Sequence, residues 1–94
     1  GREHVRKIAE IQITRLNTRL AENGMSIDVS PEAVDRVVAN GFDPVFGARP
    51  LKRSIQNIIE NPLAEGILNG TYAIDDKIIV RTDSQGKLVF NKTN

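Results

Sequence analysis

The sequence contains no cysteine and no tryptophan, and only one histidine, His4. Without cysteine there is no disulfide framework, thiolate metal site or thiol nucleophile, and His4 alone cannot assemble a metal site or a Ser/His/Asp relay. His4 reads as a surface residue near the chain start. Charge of one sign is lacking too, since 13 basic and 12 acidic side chains leave a net charge of +1. With three Phe and one Tyr besides, the chain offers neither an electrostatic nor a stacking platform for nucleic acid, and no attraction to an anionic membrane. No apolar run approaches the roughly 20 residues that cross a bilayer, and nothing resembles a signal peptide. Two further absences bear on chemistry. There is no Gly-x-x-x-x-Gly-Lys-Ser/Thr loop to cradle phosphates, and no apolar strand ending in paired acids to hold magnesium. Glu60 and Glu65 read as solvated helix faces, so no hydrolysis is expected of these residues unaided. The expectation is one soluble, cytoplasmic domain over 1–94, without repeats or internal linkers. The start at Gly1, with helical sequence at once, suggests a segment of a larger protein.

What the sequence does have is the run Gly-Phe-Asp-Pro-Val-Phe-Gly-Ala-Arg-Pro-Leu-Lys-Arg from Gly41 to Arg53. Gly41 and Gly47 can take positive φ, while Pro44 and Pro50 fix φ near about −65°, so the backbone between them has few ways to move. Pro50 suits the first position of a helix, and Leu51, Ile55, Ile58 and Ile59 recur after it at i, i+4, i+7 and i+8. Arg49 therefore stands at a helix start, where free N–H groups and a guanidinium together favour an anion, phosphate above all. Gly47 to Pro50 also fits an ordinary tight turn with Arg49 in a surface ion pair. Lys52 and Arg53 can reach a phosphate or a neighbour's acids, or be plain solvated side chains. Phe42 and Phe46 are expected to anchor the loop in the core rather than stack on a base.

In chain order, Val5, Ala9, Ile13, Leu16 and Leu20 predict a helix over about 3–23, stopped by Asn23-Gly24. At about 100° per residue these five fall within about 80°, with Ile8 about 100° and Ile11 about 160° from the centre of the stripe. The helix thus has a second apolar face, which is either scattered surface residues or the cover of something outside this chain. Met25, Ile27 and Val29 alternate as a short strand. Ser30-Pro31-Glu32 opens a second helix whose inner face is Ala33, Val34, Val37 and Val38, ending at Asn40-Gly41. A third helix is expected over about 50–61, with a kink or restart at Pro62 and an apolar face of Leu63, Ala64, Ile67 and Leu68 up to Asn69-Gly70. Ile78 and Val80, the turn Asp83-Ser84-Gln85-Gly86, and Leu88 and Phe90 make a hairpin, with Lys92 to Asn94 fraying. The expected fold is α+β in the order α-β-α-α-β-β. It has a long N-terminal helix, a short strand, two to three further helices and a C-terminal β-hairpin that completes a small three-stranded sheet.

The Gly41–Arg53 run, followed by Ile55-Gln56 and Glu60-Asn61-Pro62-Leu63-Ala64, closely resembles the C-terminal small domain of the second AAA+ module of Clp-family ATPases. It is most similar to the ClpB-type disaggregases. The resemblance extends from Ile8-Ala9-Glu10-Ile11-Gln12 through Leu16 and Leu20 to Ile78-Ile79-Val80. It implies that Arg49 is the sensor-2 arginine, taking part in catalysis in the parent ATPase, and that Arg49, Ala48, Ile8 and Ile11 face the nucleotide. ATP and magnesium would be held mainly by the large AAA+ subdomain of the same chain, with no cofactor and no metal bound by this segment alone. The resemblance further implies a homohexameric stress-response chaperone in which the small domain packs on a neighbouring subunit. That parent works on aggregated clients with a DnaK-type chaperone system, without nucleic acid or membrane partners. Three alternatives stay open. One is the equivalent domain of a peptidase-linked Clp unfoldase; another is a stand-alone interaction module docking through Ile8 and Ile11. The third is a nucleic-acid module using Arg49, Lys52 and Arg53, against which the charge balance and scarce aromatics argue.

Overall fold

In a computed structural model, which describes residues 2–41, 45 and 50–93, the first helix α1 (Arg2–Ala21) forms where the apolar stripe predicts it. Val5, Ala9, Ile13, Leu16 and Leu20 are all buried. The helix closes when Gly24 takes a φ of 72°. The Gly24 N–H then donates to the Ala21 carbonyl at 3.0 Å, and the Met25 N–H to the Leu20 carbonyl at 3.0 Å. Both bonds satisfy carbonyls that the end of a helix otherwise leaves open. Strand β1 (Ser26–Val29) follows. Ser30 then caps α2 (Pro31–Gly41), its hydroxyl accepting the Ala33 N–H at 3.1 Å. The expected Ala33, Val34, Val37 and Val38 face is buried against α1 and the sheet.

Helical structure resumes with α3 (Leu51–Ile55), a π-helical turn (Gln56–Glu60) and α4 (Asn61–Leu68). The disturbance expected at Pro62 takes the form of that wider turn, in which the Asn61 N–H donates to the Gln56 carbonyl five residues back. Pro62 has no N–H to give, and the added girth relieves its ring of the clash with the carbonyl four residues earlier. The apolar face expected on α4 is corrected. Leu63 is buried at 2% exposure, but Ala64 is exposed and Ile67 and Leu68 stand 39% and 87% exposed. Gly66 turns inward instead, and Tyr72 lies on it so closely that a Cβ there would be 2.1 Å from a ring carbon.

The chain ends in β2 (Lys77–Thr82) and β3 (Leu88–Thr93), giving the three-stranded order β1-β2-β3. β1 and β2 run parallel with Ile27 opposite Ile78, and β2 and β3 antiparallel with Val80 opposite Phe90. The parallel pair needs a long crossover, which α2 to α4 supply. At the hairpin turn one Asp83 carboxylate oxygen accepts the Gln85 and Lys87 N–H groups at 2.8 and 2.9 Å. Lys92 and Thr93 do not fray: they pair with Ile78 and Lys77, and Asn94 lies outside the described residues. The outer edge of β1 is closed by a side chain. Asn17 of α1 donates its Nδ2 to the Ile27 carbonyl at 2.9 Å and accepts the Ile27 N–H on Oδ1 at 2.8 Å, standing where a fourth strand would pair. No helix among the described residues is long and apolar enough to cross a membrane.

Candidate functional site

The segment joining α2 to α3 carries the residues the sequence singled out. Ala48 and Arg49 lie outside the described residues, as do Phe42, Phe46 and Gly47. The stems of the segment are described, and they are tightly held. Gly41 is the last residue of α2 and does not take the positive φ expected of it; among the described glycines that conformation belongs to Gly24, Gly70 and Gly86. Its lack of a side chain serves another purpose, because a Cβ on Gly41 would meet the Leu51 Cα at 2.9 Å and the Ser54 Cβ at 3.0 Å. Glycine lets the end of one helix touch the start of the next. Ser54, 2% exposed, ties the same junction. Its hydroxyl donates to the Val37 carbonyl at 3.0 Å and accepts the Asn40 amide N–H at 3.0 Å.

Pro50 immediately precedes helix α3, and its φ of −73° and ψ of −5° lead into it without a side-chain cap. Its first turn holds no acid, whereas Lys52 and Arg53 are both exposed there. Two cations beside a helix N-terminus oppose the macrodipole, so this end favours a negatively charged neighbour. Lys52 also lines a small cavity of about 210 Å³ together with Gln12, Arg19, Gln56 and Glu60. Arg19 and Glu60 form an ion pair there at 3.2 Å.

On α1, exposure rises with angular distance from the inner stripe. The five stripe residues are at most 8% exposed, Ile8 is half-buried against the core, and Ile11 is 52% exposed. Ile11 sits in a shallow basin of about 510 Å³ whose other lining residues are Lys7, Glu10, Thr14 and Arg15. All five belong to one face of α1, so no other described element covers it. Ile8 and Ile11 are therefore unequal: Ile11 is available to a partner, while much of Ile8 is already used inside the domain.

Sequence reasoning missed Asn17, Ser54 and the close approach at Gly41. Ser54 left a trace, because it falls three residues after Leu51 on the side of the helix that Ile55 buries. Asn17 left none, since an amide on a helix reads as solvated until the strand beside it is known.

A family model described as the C-terminal, D2-small domain of ClpB protein matches residues 1–80. The chain belongs to that family. It is 49% identical over 90 residues to the chaperone protein ClpB of Pseudomonas putida, covering 96% of this chain and 10% of that one. Against the ClpB of Vibrio vulnificus it is 51% identical over 85 residues, 88% of this chain and 10% of the relative. The ClpB of Vibrio cholerae is 50% identical over 80 residues, 85% and 9% of the two chains. The chain thus spans about 10% of the length of these ClpB relatives. The family match ends at Val80 within β2, so the remainder of that strand and all of β3 complete the sheet beyond the matched residues.

Proposed function

We propose that this ClpB D2-small domain is the lid of an ATP-driven, hexameric, cytoplasmic protein disaggregase, supplying Arg49 to the nucleotide site. The reading rests on the family match over residues 1–80. Its physical support is the tightly held pair of helix ends, α2 at Gly41 and α3 at Leu51, between which the Arg49 segment runs.

ATP, held with magnesium by the large subdomain of the same protein, supplies the phosphoanhydride that is cleaved. This chain's part is to bind and to respond. An aliphatic side chain exposed to the extent of Ile11 suits an apolar ring laid on α1; Ile8 has less surface to give, and Ala48 and Arg49 complete the set. A hydrogen bond from the Arg49 guanidinium to a phosphate oxygen contributes about 1.5–3 kcal/mol. Its loss shifts the balance between two lid positions by roughly tenfold or more. Because Ser54 and Gly41 lock α2 to α3, a pull at Arg49 moves the domain as one body. Packed on a neighbouring subunit, that body carries the motion round the ring and so draws aggregated clients through it, in concert with a DnaK-type chaperone.

The test is Arg49→Ala in the full-length protein. ATP turnover and disaggregation are expected to fall about tenfold or more, while the melting temperature of the 94-residue domain stays unchanged. Wild-type turnover in that variant rejects the sensor role.

A further inference from the structure

A second surface, sharing no residue with the Ile11 basin, lies where β3 overhangs the helices. There the π-helical turn, α4, α2 and the hairpin enclose a groove of about 430 Å³, within the range of sites that hold a ligand or a peptide side chain. Its apolar floor is Ile58, Pro62, Leu88 and Phe90, all partly exposed. Arg36 and Lys87 line it as well, and the remaining lining side chains are amides. No carboxylate of the described residues lines it. Both cations are exposed, and neither has an ion-pair partner among the described residues, although Arg6, Arg19 and Lys92 each have one. Alongside runs β3, which pairs with β2 on one side and with no strand on the other among the described residues. Such an edge offers backbone N–H and C=O groups to an extended chain.

We propose that this groove docks an extended acidic segment of another protein, which adds to the β3 edge, seats one aliphatic or aromatic side chain between Phe90 and Ile58, and sets carboxylates against Arg36 and Lys87. Charge complementarity selects the occupant. Among the described residues the cations have no ion-pair partner and the lining has no acid to repel a carboxylate, and an apolar floor has nothing to offer a bare polyanion. A basic segment would meet like charge and leave its own cations unpaired.

The probe is a set of eight-residue peptides with Leu, Ile or Phe at one central position and Asp or Glu at the others, titrated into the isotope-labelled 94-residue chain. Amide resonances of residues 85–91 and the side-chain amides of Asn40 and Asn57 are expected to shift together. An Arg36→Glu, Lys87→Glu double variant changes only exposed positions; it should keep the wild-type melting temperature and lose affinity about tenfold or more. The proposal is overturned if no peptide of the set shifts these resonances below about 1 mM. It is equally overturned if lysine-for-acid peptides bind as well, if the double variant binds undiminished, or if the shifts centre on Lys52 and Arg53. A larger response of the same residues to oligothymidine or inorganic polyphosphate would also reject it, showing polyanion binding instead.

Discussion

A methyl group placed on Gly41 would lie 2.9 Å from the Cα of Leu51, closer than side-chain carbons approach a backbone. The two residues flank the segment that carries Arg49, so α2 and α3 are joined by a contact as well as by the chain. Ser54 reinforces it from inside, bonded to Val37 and Asn40.

Gly41→Ala separates this reading from ordinary helix propensity. Alanine within a helix normally gains up to about 1 kcal/mol over glycine. Here the added carbon meets backbone, and a loss of about 1–3 kcal/mol is expected. Urea unfolding of the two proteins decides the sign, and an alanine variant of equal or greater stability would show that the helices are not held at this point.

Asn17→Ala removes both side-chain partners of Ile27, whose residue is 4% exposed. The expected cost is about 1–3 kcal/mol. Hydrogen exchange gives the sharper readout: the Ile27 amide should lose protection while the Ile78 and Val80 amides change only as global stability does. Retained protection at Ile27 would mean that the amide does not close the edge.

Ile11→Asp and Ile13→Ala are separated by two positions on α1 and by the difference between 52% and 8% exposure. The first should shift stability by no more than about 0.5 kcal/mol, the second by about 2–5 kcal/mol. In the full-length protein Ile11→Asp is expected to weaken nucleotide affinity or assembly, read by calorimetry and sedimentation. Unfolding of the domain by Ile11→Asp would make that residue core and remove the α1 face from the proposed function.

Gly66→Ala forces a choice on Tyr72, since the new Cβ would fall 2.1 Å from its ring. The ring should swing out. Tyr72 is the one tyrosine in a chain without tryptophan, so intrinsic fluorescence reports it directly. An emission and quenching profile identical to wild type would show that the ring does not rest on Gly66.

Features confined to one element were legible in the sequence. The α1 stripe, the Ser30 cap, the Asn23-Gly24 stop and the Asp83 turn each depend on residues within a turn or two, and each formed where the pattern put it. Features made between distant elements were not. A glycine that permits positive φ and one that permits close approach look alike in sequence, so the reason for Gly41 was misread until Leu51 stood against it. Ile67 and Leu68 continue a helical pattern but stay outside the buried core, where Tyr72 lies on the adjacent Gly66 instead. Lys92 and Thr93 looked like a free end because their partners in β2 precede them by more than a turn's reach. At the candidate site, the exposure of Ile11 followed from angle alone, whereas the packing of Ile8 depended on neighbours that periodicity does not name.

The parallel pairing of β1 with β2 also sets an order of events for a ribosome-borne chain. Ile27 leaves the exit tunnel before Ile78, since the strand it must lie beside is made only after α2, α3, the π-helical turn and α4 have been synthesised. Until then one side of the nascent core has no wall, and closure waits on contacts of long sequence separation, the slowest kind to form. The sheet, not the helices, is therefore the part of this domain that closes last.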